Sequence, residues 1–321
     1  MRVAVAGDTM LGRRVADEIE RSRRPPVHRD VIAVAAEADL FVLNLECCIS
    51  DRGERWPDPD KPFYFRAPPV AAELLAEMGV DCVTLANNHA LDYGLEALLD
   101  TLDHLERAGV AAVGAGAELA SARRALVLHA AGARLAVLGL SDHPRDYAAG
   151  PSRAGIAYAD DAGAGWVAQA IRAARAQADV VLVTPHWGPN MTARPPAYVQ
   201  AAARELIAAG ATLVAGHSAH VFHGIAPRVL YDLGDFVDDY IVHSGLRNDL
   251  GLLFLVDLAP DGSGDVEAVP LKLDYCHTRL ATGDDAAWIR RRFIAACAEL
   301  GTVATERDDR VVVALGDPPP G

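Results

Sequence analysis

Seven short apolar runs, at 3–6, 40–43, 82–85, 135–140, 180–183, 212–215 and 229–230, alternate along this chain with amphipathic segments rich in Ala, Leu and Glu. Apolar runs of this length bounded by Gly, Asn and Asp read as buried strands, and their alternation with helical patterns predicts an α/β fold with much parallel pairing. Two of the intervening helices are delimited by the sequence itself. One opens on Pro195 and Pro196, sets Val199, Ala202, Ala203, Leu206 and Ile207 on one face and stops at Gly210; the other runs over 95–108 and stops at Gly109. Later, 252–258 and 266–274 flank Pro260-Asp-Gly-Ser-Gly264 and predict a hairpin that adds an antiparallel portion to the sheet. A last helix over 284–300, a last strand over 310–315 and a disordered Pro-Pro-Pro-Gly tail are expected. The working division is one domain over 1–274, with 275–321 as a helix and strand extension packed on it.

Five of the runs end in a residue that can bind a metal or move a proton. They close as Gly7-Asp8, Asn44-Leu-Glu46, Asn87-Asn88-His89, His186-Trp-Gly188 and Gly216-His217-Ser-Ala-His220. In open α/β sheets the ligand crevice lies beyond the carboxyl ends of the strands, so groups spread over two hundred residues can meet there. Taken singly, Asp8 also suits a helix cap, Asn87–His89 a turn, and His186 or His217 a satisfied core histidine. All five at strand ends point instead to one shared site. Histidines, carboxylates and an Asn carbonyl make a mixed nitrogen and oxygen set suited to Zn, Mn or Fe, one ion or two. Such ions lower the pKa of a bound water and can clamp attacking and leaving oxygens, which is hydrolytic chemistry.

Composition narrows the remaining choices. A formal charge of −14 with no basic stripe opposes binding to nucleic acid or an anionic membrane, and a small anionic substrate met through a metal is the partner expected. Five cysteines without a C-x-x-C pair fit reduced thiols, buried packing for the adjacent Cys47 and Cys48, and the cytoplasm. No stretch approaches the roughly 20 apolar residues that span a bilayer. Gly114-Ala-Gly116 lacks the third glycine of a dinucleotide fingerprint and reads as a turn. Lys61 and Arg66 fit either an anion-binding role or a solvated loop, and Asp235 fits an outer hydrogen-bond partner of the centre, as do Asn44 and Asn87.

In order along the chain, these motifs resemble the bacterial capsule synthesis family (CapA, poly-γ-glutamate synthesis), itself similar to the calcineurin-like metallophosphoesterases. The resemblance rests on Gly7-Asp-Thr-Met-Leu-Gly-Arg13, Asn44-Leu-Glu46, Phe65-Arg-Ala-Pro-Pro69, Leu85-Ala-Asn-Asn-His-Ala-Leu-Asp-Tyr-Gly94, Val113-Gly-Ala-Gly116, His186-Trp-Gly188, Gly216-His-Ser-Ala-His-Val221 and Leu233-Gly-Asp-Phe236, and covers about residues 1–240. It implies a layered α/β sandwich of the metallophosphoesterase type with mixed sheets. It further implies Asp8, Glu46, Asn88, His186, His217 and His220 as metal ligands, Glu46 as the bridging one, and His89 as the acid that protonates a leaving group. The chain departs from the phosphoesterase pattern where Met10 replaces the histidine of Asp-x-His and Gly-His-x-x-His replaces Gly-His-x-His. Many members carry an N-terminal membrane anchor, which this sequence is not expected to have.

The function expected is hydrolysis of a phosphoester, or of an amide or γ-glutamyl bond, by a metal-activated hydroxide. Two alternatives stand beside it: a non-catalytic protein that binds an anionic polymer or a partner in capsule or poly-γ-glutamate biosynthesis, and a bond-forming enzyme of specialised metabolism.

Overall fold

The computed structural model describes residues 1–160 and 165–316; the tail at 318–321 lies outside the described residues. All seven apolar runs are strands, and they divide between two sheets. The larger sheet places Arg2–Thr9 beside Leu40–Leu45, followed outward by Cys82–Thr84 and Ala111–Val113, all in parallel. On the other side of Arg2–Thr9 the predicted hairpin, Leu250–Leu258 with Gly264–Leu273, joins antiparallel, and Arg310–Ala314 and Ala304–Arg307 extend it. In the smaller sheet Ala133–Ser141, Val180–His186, Leu213–Ala215 and Val229–Leu230 run parallel. Leu126–Ala130, which no apolar run marked, pairs antiparallel at its edge.

Strand periodicity explains why the sheets stack. Val3, Val5, Leu40 and Val42 of the large sheet face Leu135, Val137, Val180 and Leu182 of the small one in a single core. The intervening residues Ala4, Ala6, Phe41 and Leu43 face a helical layer whose buried side chains include Val15, Ile19, Leu75, Leu98 and Leu105. On the small sheet, Ala136, Leu138, Val181 and Val183 turn to Val167, Ile171, Val199, Ala203 and Leu206 of its own helices. Successive side chains point to opposite faces, so strands apolar on both faces must lie between two covering layers. The result is a helix, sheet, sheet, helix sandwich.

Helix Ala197–Ala209 ends at Gly210, whose φ of 115° is a left-handed stop open to glycine. Helix Gly283–Glu299, from the expected extension, puts Ile289, Phe293 and Cys297 into the core between the sheets. All five cysteines are buried and unpaired, as the composition implied. Among the described residues no helix is long and apolar enough to cross a membrane.

Candidate metal centre

Asp8 owes its position to a bulge. Strand Arg2–Thr9 keeps regular register with its neighbour through Ala6, then shifts before Asp8 pairs with Asn44. On its other edge the antiparallel strand pairs only with Arg2–Val5, and the short strand Asp235–Val237 takes over, with Asp8 opposite Asp235. A bulge re-aims the side chain that follows it. Gly7 makes room for this change of partner, because a Cβ there would lie 1.7 Å from the carbonyl oxygen of Gly234. That approach is held by Asp8 N–H donating to the same oxygen at 2.9 Å. Gly7→Ala is therefore expected to cost about 1–3 kcal/mol and to lose metal affinity beyond what the stability change explains. Calorimetry with metal titration checks it, and normal affinity in a folded variant would mean that Gly7 does not set the position of Asp8.

The smaller sheet brings two histidines to the same place. His186 ends its strand and bridges to His217, whose N–H donates to the Pro185 carbonyl at 3.0 Å. Beyond His217 the chain turns through Ser218 and His220, both with positive φ (107° and 59°). Non-glycine residues hold such conformations where surrounding contacts enforce them, often at functional sites. Here Ser218 N–H donates to Asp8 Oδ2 at 3.3 Å and Ala219 N–H to Asp232 Oδ2 at 2.8 Å, wrapping the turn around two buried carboxylates. On the strand beside Asp8, Asn44 Nδ2 donates to Asp8 Oδ1 at 2.8 Å, and it lies 3.4 Å from His186 Nδ1 of the other sheet.

Two groups of ligand-type atoms result, each within 4.8 Å mutually: Asp8, Glu46 and His186, and Asp8, His220 and Asp235. Asp8 is common to both because its two oxygens diverge, Oδ1 toward Asn44 and His217, Oδ2 toward His220. Glu46, expected as the bridging ligand, belongs to one of the two groups. Asp235, expected as an outer partner, stands in the ligand group itself, 2.9 Å from His220 Nδ1 with its Oδ2 unpaired.

The donor set fits a cation. Buried atoms without a hydrogen-bond partner among the described residues include both Glu46 oxygens, Asn88 Oδ1, His186 Nε2, His217 Nδ1 and Asp235 Oδ2. Unsatisfied buried polar atoms are rare in folded proteins and costly, and a bound ion satisfies them. Electrostatics agree. Burial, then repulsion from Asp8 and Asp235, holds the Glu46 carboxyl well above its ordinary range. Burial also pushes Asp8 up, but the neighbouring imidazoles of His217 and His220 outweigh it and hold Asp8 well below the usual value. Crowded buried carboxylates are expensive unless a positive charge sits among them.

Beside this cluster stands His89, its Nε2 3.8 Å from Glu46 and its Nδ1 2.7 Å from Asp92 Oδ2. Asp92 escaped the sequence reading, although a carboxylate three residues after a strand-end histidine was the available signal. It accepts from Phe65 N–H at 2.6 Å, Lys61 Nζ at 3.0 Å and Tyr147 OH at 3.2 Å. Asp232 was missed likewise. Asn87 donates to the Asn44 side chain and the Leu45 carbonyl and accepts from His89 N–H. Lys61 reaches the cleft, but its ammonium is spent on Asp92 and on the Asn88 carbonyl at 2.6 Å. Arg66 does not line the cleft: its guanidinium covers the Tyr93 ring at 4.1 Å and donates to the Arg52 and Gly53 carbonyls. The anion-binding role expected of Arg66 is corrected on that ground.

Comparison with known proteins gives a consistent set. The profile of a family described as bacterial capsule synthesis protein PGA_cap matches residues 2–240. A Mycobacterium tuberculosis protein of strain H37Rv, named a probable polyglutamine synthesis accessory protein, is 32% identical over 296 residues, covering 85% of this chain and 76% of that one. The PGA biosynthesis protein CapA of Bacillus subtilis strain 168 is 27% identical over 279 residues, covering 85% and 72%. Among solved structures, a calcineurin-like phosphoesterase of Bacillus subtilis superposes with a TM-score of 0.40 and 14% identity, over 88% of each chain.

Proposed function

The chain belongs to the bacterial capsule synthesis protein family, and from that membership and the geometry of its centre we propose a divalent-metal hydrolase acting on a small anionic substrate, at a phosphoester or at an amide or γ-glutamyl bond. Asp8, Glu46, Asn88, His186, His217, His220 and Asp235 would hold one or two ions of Mn, Zn or Fe. The observation that carries the reading is the set of unsatisfied buried donors and acceptors on five of those residues, aimed from two sheets. A divalent ion bound there polarises a phosphoryl or carbonyl oxygen and lowers the pKa of a bound water.

His89 does the proton work. Asp92 accepts its Nδ1 proton, which fixes the ring and leaves Nε2 facing the centre to protonate the departing group. Burial draws His89 below its ordinary value, and the charge and hydrogen bond of Asp92 oppose that shift without reversing it. Lys61 and Phe65 N–H in turn hold Asp92.

His89→Gln is expected to lower kcat by about 10²–10⁴-fold on an alkyl phosphate or a γ-glutamyl alkylamide, with metal content unchanged. The loss should be smaller on p-nitrophenyl phosphate, whose leaving group needs little protonation. Equal losses on both, or none on the alkyl substrate, would remove His89 from the acid role.

A second reading has its own support. The mycobacterial relative is named an accessory protein, and the wholly buried Met10 stands where the phosphoesterase pattern has a histidine ligand. In that reading the cleft binds an anionic polymer or a biosynthetic partner without turnover. Stoichiometric metal with no turnover in either substrate class would favour it.

A further inference from the structure

A cavity of 430 Å³ opens beside His89 and His220, and Arg13 lies on its wall with Phe63, Met191, Asp239, Tyr240 and Ile241. The volume suits a small ligand. Apart from Lys61, whose ammonium is already engaged, Arg13 is the Lys or Arg side chain among the described residues lining it. We propose that Arg13 is a substrate-positioning residue that receives a carboxylate on the part of the substrate remote from the bond that reacts. The proposal rests on the hydrolase reading for which end of the substrate reacts.

Three features prepare Arg13 for this. Its Nε ion-pairs with Asp239 Oδ2 at 3.2 Å, and the Arg14 N–H donates to the same oxygen at 3.1 Å. The guanidinium lies over the Phe63 ring at 4.8 Å and near the Phe65 ring at 5.6 Å. Its two terminal nitrogens have no hydrogen-bond partner among the described residues, and the side chain keeps 34% of its surface exposed. A planar fork fixed at one edge and on one face offers its remaining pair of N–H groups in the geometry of a bidentate carboxylate. The backbone pays toward this arrangement, since Arg13 holds a φ of 54°.

Placement relates this fork to the chemistry. Phe65 packs edge-on against His89, with ring centroids 4.6 Å apart, so one aromatic ring separates the guanidinium from the proposed acid. Phe63 and Tyr240 line the same cavity, and their apolar ring faces suit a carbon spacer. Charge selects the anion. Asp239 already balances Arg13, so the pair is formally neutral and matches a monoanionic carboxylate better than a dianionic phosphate. The substrate class is therefore a molecule with a reacting group at one end and a carboxylate on a short carbon chain at the other.

The test is a binding comparison on the protein as purified, by calorimetry, with glutarate, pentanoate and 4-phosphonobutyrate as probes. Glutarate is expected to bind about tenfold more tightly than pentanoate, one charge-assisted contact being of that order. In Arg13→Gln that ratio should fall to about one, with metal content and melting temperature unchanged. Arg13→Lys, which keeps the charge without the fork, should recover only part of it. A preference absent from the wild type, surviving in Arg13→Gln or fully kept in Arg13→Lys overturns the proposal. A fourth probe, propane-1,3-bisphosphonate, offers a phosphonate at both ends: tighter binding of it than of 4-phosphonobutyrate, with the difference lost in Arg13→Gln, overturns the carboxylate assignment. Failure of the hydrolase reading would appear separately, as absent turnover with the glutarate preference intact.

Discussion

Asp8→Asn is expected to yield a folded protein that no longer retains stoichiometric divalent metal. The two ligand groups share only Asp8, so one substitution weakens both. An amide in its place also turns an NH₂ toward a donor, whether Asn44 Nδ2 on one side or Ser218 N–H on the other. Loss of an outer partner alone typically costs 10–100-fold in metal affinity, so loss of a shared ligand should cost at least about a hundredfold. In the wild type, metal at a hundred times its dissociation constant adds about 2.7 kcal/mol to stability. A chelator should therefore lower the wild-type melting temperature by several degrees and leave Asp8→Asn almost unmoved. The metal-free variant should melt below the metal-free wild type, because the Asp8 charge that His217 and His220 stabilise is lost and a buried NH₂ meets a donor in its place. Elemental analysis and calorimetry with and without chelator check both statements. Retained stoichiometric metal in the variant, or a wild type indifferent to chelation, would sink the metal centre as drawn.

Phe254→Ala should produce the largest purely structural loss. Phe254 is fully buried between the sheets and meets Phe293 of the last helix edge-on, ring centroids 5.8 Å apart. Phe293 in turn meets Phe222, two residues beyond His220, at 6.1 Å. Truncating an aromatic in such a core costs about 3–5 kcal/mol, from lost transfer energy and the cavity left behind. Denaturant unfolding should give that figure, and the melting temperature should fall by on the order of ten degrees. Phe254→Leu, which keeps much of the volume, should cost far less. Metal should still bind below the new transition, since Phe254 lies on a strand that carries none of the candidate ligands. A loss under 1 kcal/mol would mean that the sheets close over the gap and that this contact does not hold the sandwich.

Much of the fold was legible because strands buried on both faces must be apolar throughout, and each of the seven runs is a strand. Helix ends were legible where proline opens and glycine closes, as at Pro196 and Gly210. Strands with mixed or charged sequence were not: Leu126–Ala130 and Ala304–Arg307 lie at sheet edges, where one face meets solvent and the pattern weakens. For the site, residue types at strand ends pointed to a candidate metal centre. The carboxylates Asp92 and Asp232 were lost among ordinary turn residues, since their roles depend on which backbone amides and side chains they meet.

By itself the sequence determined the α/β class, the strands and the residue types gathered at their ends, because burial and turn chemistry act locally and leave a periodic trace. Only the tertiary structure decided that two sheets share the centre, that a bulge at Gly7 gives both Asp8 oxygens to it, and that Asp235 joins the ligand group. It also decided which Lys or Arg stays available at the cleft, turning Arg66 onto Tyr93 and Lys61 onto Asp92 while Arg13 lies on the cavity wall. The physical reason is common to all of these: register, direction and partnership of a polar side chain are fixed by contacts between segments far apart in the chain, and no local pattern encodes them.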